Sequence, residues 1–185
     1  MPFRFQKLSL DGPVVIVPDV HPDERGLFCE LYKKSDFADS GIGGEFVQEN
    51  LSYSRRRVLR GLHYQLPPFA QGKLVRAITG KVWDVAVDLR KASPSFGKWV
   101  GVELSDEDRR MLWIPPGFAH GFVALSSDVH LLYACTAEYK SAAERGVRWN
   151  DPDLAIDWPL LDVVVSKRDS ELPPFNKAEV FQVIS

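Results

Sequence analysis

Cysteine is almost absent from this sequence. Cys29 and Cys135 are the only two among 185 residues, too few for a disulfide framework. Both stand among apolar, strand-like neighbours and read as buried free thiols. A reducing cytoplasm is therefore the default compartment. No apolar run approaches the roughly 18 residues of a membrane span. Residues Met1 to Leu10 lack the basic-then-apolar order of a secretory signal. Neither sign of charge dominates: Lys plus Arg number 23, Asp plus Glu 25, and the formal net charge is -2. That balance argues against a general nucleic-acid binder and leaves room for a local basic pocket. Repeats, low-complexity tracts and linker-like stretches are missing too, so the chain reads as one domain over residues 1–185.

What the sequence has is punctuation. Thirteen prolines and thirteen glycines are spread through it, dividing short apolar segments in the manner of an all-β sandwich or barrel. Pro13 to Pro18 reads as a strand, and Asp19 to Gly26 as a polar turn. Leu27 to Tyr32 follows as a strand with Phe28, Glu30 and Tyr32 on one face. Ser35 is placed to cap one helical turn. Phe46 to Tyr53 puts Gln48, Asn50 and Ser52 on one face, which suits solvent or a ligand-binding interior. Arg55-Arg56-Arg57 reads as a solvated turn. Lys73 to Ile78 and Val82 to Leu89 are expected to form a hairpin through Thr79-Gly80-Lys81. On the second of these, Trp83, Val85, Val87 and Leu89 share one face, and Val82, Asp84, Ala86 and Asp88 the other. Strands are also expected over Trp99 to Leu104, Arg110 to Ile114, Gly121 to Leu125 and His130 to Tyr139. The sum is an antiparallel jelly-roll barrel with a few short helical turns.

The densest chemistry lies between Arg60 and Lys73. A guanidinium, an imidazole and an ammonium within fourteen residues suit proton removal from an anionic substrate. The stretch also resembles half of the metal-site pattern of the cupins, a jelly-roll class. Pro115-Pro116-Gly117-Phe118-Ala119-His120 matches the later half, Pro-x-Gly-x-x-His. In the earlier half His63 stands where the first ligand would be, but Gln65 replaces the second His. Lys73, with six residues between it and Gly80, replaces the Glu. An ammonium cannot ligate a divalent cation, so no metal is expected. Buried cationic donors can instead stabilise an enolate, a role open to Lys73 and Arg60. His63 suits a general base, its ordinary pKa of about 6.5 lying near working pH. On a regular strand, however, Arg60 faces away from His63, unless a bulge at Gly61 turns it inward. His21 and His130 read as surface or packing residues, and Asp84 and Asp88 as solvated or paired carboxylates.

Longer motifs carry a more specific resemblance. They are Asp23-x-Arg25-Gly26-x-Phe28-x-Glu30, Gln48-x-Asn50, Arg60-Gly61-Leu62-His63-Tyr64-Gln65 and Pro67-Pro68-x-x-Gln71-x-Lys73. Asp84 to Arg90, Ser93 to Gly97, Trp113 to Phe122 and Trp149 to Pro152 continue the series. Together they resemble the dTDP-4-dehydrorhamnose 3,5-epimerase family over nearly the whole chain. The resemblance implies a metal-free cupin-type fold, a homodimer and no cofactor. It implies epimerisation at C3 and C5 of dTDP-4-dehydro-6-deoxy-D-glucose, on the route to dTDP-L-rhamnose. His63 matches the base, Asp169 its aspartate partner and Tyr133 the proton donor on the opposite face of the sugar. Lys73 and Arg60 match groups near the 4-keto oxygen. Arg25, Glu30, Gln48, Asn50, His120 and Glu144 match nucleotide-sugar contacts, and Tyr139 the residue stacking on thymine. Lys167-Arg168-Asp169 departs from the more usual Glu-Lys-Asp, and Arg168 is expected to reach the pyrophosphate with altered geometry. The competing readings are an epimerase of one carbon only, a non-catalytic sugar-nucleotide binder of cupin fold, and a metal-dependent cupin.

Overall fold

Residues 2–182 are described by the computed structural model. The ends of the expected domain, Met1 and residues 183–185, lie outside them. In chain order the strands are β1 (Phe3–Lys7), β2 (Val14–Pro18), β3 (Val20–Asp23), β4 (Gly26–Cys29), β5 (Gln48–Arg55), β6 (Val58–Gln65) and β7 (Lys73–Thr79). They continue as β8 (Lys81–Asp88), β9 (Trp99–Ser105), β10 (Met111–Ile114), β11 (Phe118–Ala124), β12 (Asp128–Cys135), β13 (Glu144–Gly146) and β14 (Val164–Val165). Two short helices, α1 (Lys34–Asp39) and α2 (Lys167–Ser170), complete the set with a single 3-10 turn.

Two antiparallel sheets face one another. The first has the order β1-β2-β10-β7-β12-β5, the second β13-β6-β11-β8-β9. Between them lies an apolar core that includes Val15, Val75, Val82, Val102, Leu104, Leu112, Ile114, Phe122 and Leu131. Each fully buried side chain of this kind contributes roughly 1.5–3 kcal/mol. The alternation expected on β8 is present, but both of its faces are covered. Val82 and Ala86 enter the inter-sheet core. Val85, Val87 and Leu89 pack outward under the C-terminal segment with Leu154, Trp158 and Phe181. The jelly-roll barrel expected from the strand pattern is the observed architecture.

Local expectations changed in several places. β7 and β8 are not a hairpin, since each pairs within a different sheet. Gly80, at φ +75°, turns the chain from one sheet to the other, and a Cβ there would lie 2.4 Å from Ser126 Oγ. The supposed polar turn before Gly26 contains β3, paired with β4 as a separate two-stranded arm. β1 escaped the sequence reading, as its polar positions hide the pattern. Ser35 lies inside α1, whose cap position is Lys33, with no side-chain cap. Arg57 is not merely solvated, for its guanidinium pairs with Asp162. The last expected strand stops at Cys135, which leaves Tyr139 in a loop.

Candidate active site

The two sheets supply opposite walls of a pocket at one end of the barrel. From the second sheet come His63 and Arg60 on β6, His120 on β11 and Asp84 on β8. From the first come Gln48, Asn50 and Ser52 on β5, Lys73 on β7 and Tyr133 on β12, the strand that also carries the buried Cys135. The space forms two joined cavities of about 260 and 270 Å³, both lined by His63, Lys73 and Tyr133.

The phase of Arg60 is settled by a bulge. His63 pairs with His120, but Arg60 pairs with Phe122, so the register shifts by one residue between them. Gly61 makes this possible at φ +120°, where a Cβ would come within 2.6 Å of Gly121 Cα. Arg60 therefore lines the second cavity with His63. Its Nε donates to Ser54 Oγ at 3.1 Å and its Nη2 to Tyr53 O at 2.9 Å.

Asp169 reaches His63 by a different route. β14 runs parallel to the start of β6, and the chain then turns at Ser166, whose Oγ caps α2 by accepting from Asp169 N at 3.0 Å. Asp169 Oδ1 lies 2.8 Å from His63 Nε2, and Oδ2 accepts from Gly61 N–H at 3.2 Å. Burial pushes the Asp169 carboxyl up. The bonds from His63 and Gly61 outweigh this and hold it below the ordinary carboxylate value. An ionised Asp169 can only accept, so His63 donates from Nε2–H and its Nδ1 is left with the free lone pair.

A second pair stands beside the first. His120 Nε2 lies 3.0 and 2.9 Å from the two oxygens of Asp84, which is fully buried. The sequence placed Asp84 on the barrel face without giving it a partner. Across the cavity, burial raises the Tyr133 phenol, and Cys135 and Glu144 add to the rise against the pull of Arg60. It therefore stays protonated as a donor at neutral pH. Burial lowers the Lys73 ammonium, a shift opposed by Cys135, Asp84 and Glu144.

At the mouth, Tyr139 Oη donates to Glu144 Oε2 at 2.6 Å, and Arg168 pairs with the same oxygen. Gln65, in the position of the missing cupin His, is consumed by the adjoining loop. Its Nε2 donates to Phe69 O and Glu138 O, and its Oε1 accepts from Lys140 N. The pocket thus gathers His63, Tyr133, Asp169, Lys73, Gln48, Asn50, Arg60, His120, Tyr139, Glu144 and Arg168. Arg25 and Glu30 are the exceptions. Arg25 sits at the tip of the β3–β4 arm, bound to Asp23 at 2.5 Å, and Glu30 is exposed just beyond β4. Neither lines the pocket. Ser52 was missed as a site residue although it shares the face of Gln48 and Asn50. Its buried Oγ has no hydrogen-bond partner among the described residues.

Fold and pocket together define a jelly roll of cupin type with an imidazole–carboxylate pair on one wall and a phenol on the facing one. The sequence model of the dTDP-4-dehydrorhamnose 3,5-epimerase family matches residues 7–177, and the chain belongs to that family. A dTDP-4-dehydrorhamnose 3,5-epimerase from Methanothermobacter thermautotrophicus is 50% identical over 182 residues, covering 97% of this chain and 98% of its own. The crystal structure of such an enzyme from Sulfolobus tokodaii has a TM-score of 0.92 at 47% identity, covering 98% of this chain and 99% of its own. A Legionella pneumophila relative, solved with dTDP-4-keto-L-rhamnose, has a TM-score of 0.95 at 42% identity, covering 99% of this chain and 100% of its own.

Proposed function

We propose that this protein epimerises C3 and C5 of dTDP-4-dehydro-6-deoxy-D-glucose, giving dTDP-4-dehydro-L-rhamnose for dTDP-L-rhamnose synthesis. The observation that carries the reading is the placement of a carboxylate-backed imidazole on one sheet and a protonated phenol on the other, with Lys73 on the phenol's sheet lining both cavities. Both carbons flank the C4 ketone, so one enolate-stabilising group serves both. His63 Nδ1 removes the proton from one face, and Asp169 supports the imidazolium formed. Lys73 offsets charge developing on the ketone oxygen. Tyr133 then delivers a proton from the opposite face, which inverts the centre. His63 and Tyr133 return to their starting states by exchange with water. Tyr139, Glu144 and Arg168 at the mouth suit the nucleotide and its diphosphate.

The test is ¹H NMR of the turnover in heavy water. Deuterium is expected at both C3 and C5 of the product. Uptake at a single carbon selects a one-carbon epimerase, and none at either removes the epimerase reading in favour of a binding protein.

The same reading makes the protein a cytoplasmic homodimer. The β3–β4 arm supports it: Phe28 is 66% exposed there and Leu27 48%, while Leu51 on the edge strand β5 is 62% exposed. Docking this arm on a second copy would cover these side chains and carry Arg25 and Glu30 away from their own pocket to the partner's. Sedimentation at the mass of two chains is expected, and a single-chain mass would overturn it.

A further inference from the structure

The pocket wall formed by β5 and β12 carries a hydrogen-bond chain whose direction is set at one end. The backbone N–H of Tyr139 can only donate, and it reaches Gln48 Oε1 at 2.7 Å. Gln48 must then turn its nitrogen towards Asn50, and its Nε2 donates to Asn50 Oδ1 at 2.9 Å. Asn50, its oxygen engaged, turns Nδ2 towards Cys135 Sγ at 3.7 Å. Reversing Gln48 would set donor against donor at Tyr139, and reversing Asn50 would do so at Gln48. The polarity therefore runs one way, from the Tyr139 backbone to the sulfur.

Cys135 terminates that chain as a buried side chain outside the cavity lining. It is buried and stands opposite Lys73 in the register of β12 and β7. Burial pushes its thiol up against the pull of Lys73 and the bond from Asn50. The sulfur thus accepts as a neutral group. A charged acceptor here would compete for the Lys73 ammonium, and a donor would clash with Asn50 Nδ2. A thiol sulfur does neither.

We infer that Cys135 is a positioning residue, whose sulfur fixes the Asn50 and Gln48 amides so that each keeps one free N–H towards the cavity. Both amide oxygens are already engaged, so this wall offers donors to acceptor oxygens, those of a sugar ketone or diphosphate. The chain also ties the Tyr139 loop to the buried strand position opposite Lys73. The inference rests on the sugar-nucleotide reading above and adds a residue that makes no contact with the reacting carbon.

The test compares Cys135→Ala, Cys135→Val and Cys135→Ser in steady-state kinetics with dTDP-4-dehydro-6-deoxy-D-glucose, alongside their melting temperatures. Ala and Val are expected to raise KM by about five- to tenfold, the scale of one lost hydrogen bond, with kcat held within about twofold. Ser keeps an acceptor at the same branch and is expected to recover most of that KM. A residue that only fills space would show the reverse, with Val recovering function and Ser not, and that result overturns the inference. So does an Ala variant that matches the wild type. If Ala does not fold, the contrast of Ser with Val decides alone. A wild-type protein without turnover would strike at the epimerase reading instead, a separate outcome seen before any variant is made.

Discussion

His63 and His120 face each other in the register of β6 and β11, each bound through Nε2 to a carboxylate, yet their surroundings differ. The His120 side chain is 7% exposed and Asp84 0%. Both belong to the same sheet, and both carboxylate oxygens are spent on one nitrogen. The His63 side chain is 28% exposed, opens on both cavities, and takes its carboxylate from a surface helix. Asp169 also divides its oxygens between His63 and the Gly61 N–H. The more deeply buried pair suits an imidazole held in place as a fixed hydrogen-bonding group at the cavity wall. An open pair lets a proton arrive and leave. Geometry at the first atom is nearly the same, and access is what sets the base of the proposed mechanism apart from its neighbour.

The strongest way to break this comparison is to remove each imidazole. His63→Ala is expected to lower turnover by about a thousandfold or more, with loss of deuterium uptake. His120→Ala should cost about tenfold, mostly in KM. Equal loss of exchange in the two variants would erase the distinction drawn here.

Removing the carboxylates sharpens it. Asp169→Ala is expected to cost about a hundredfold in turnover and only about 1 kcal/mol in stability. Asp84→Ala should do the opposite, costing about 2–4 kcal/mol in urea unfolding because a buried imidazole is left unpaired. Acid supplies the smallest effect. The folded pKa of Asp169 is lowered, so its contribution is complete above the ordinary carboxylate value of about 3.9. It is lost as pH falls through the folded value. The stability gap between wild type and Asp169→Ala should hold near neutrality and close below about pH 4. A gap that stays open in strong acid would assign the stabilisation to packing.

Much of the wall was legible because strands alternate. Gln48, Asn50 and Ser52 share a face by period two, as do Tyr133 and Cys135, and the structure turns both sets inward. Arg60 was legible only as a condition, a bulge at Gly61, and the register shift supplies it. The pairing of Asp84 with His120 was not legible, since it depends on the register of β8 against β11. The hydrogen bond between His63 and Asp169 spans 106 residues, and only resemblance to a known family joined them. The hairpin expected at Gly80 failed for a related reason: a tight turn fixes direction but not which sheet the chain enters next. Arg25 and Glu30 lie on an arm that this chain leaves exposed, and their fit to the family motif gave no sign of that.

The route of Asp169 has a consequence in time as well as in space. Every other group in the proposed proton transfer, namely Arg60, His63, Lys73 and Tyr133, belongs to strands complete by Cys135. The carboxylate bonded to His63 comes later than all of these, on a helix that follows the two-residue β14. During synthesis, which proceeds from the N-terminus, the sheets can close around an imidazole that has no partner yet. In the proposed mechanism the base gains its partner only when the segment carrying β14 and α2 crosses back over β6, after the strands of both sheets have been made.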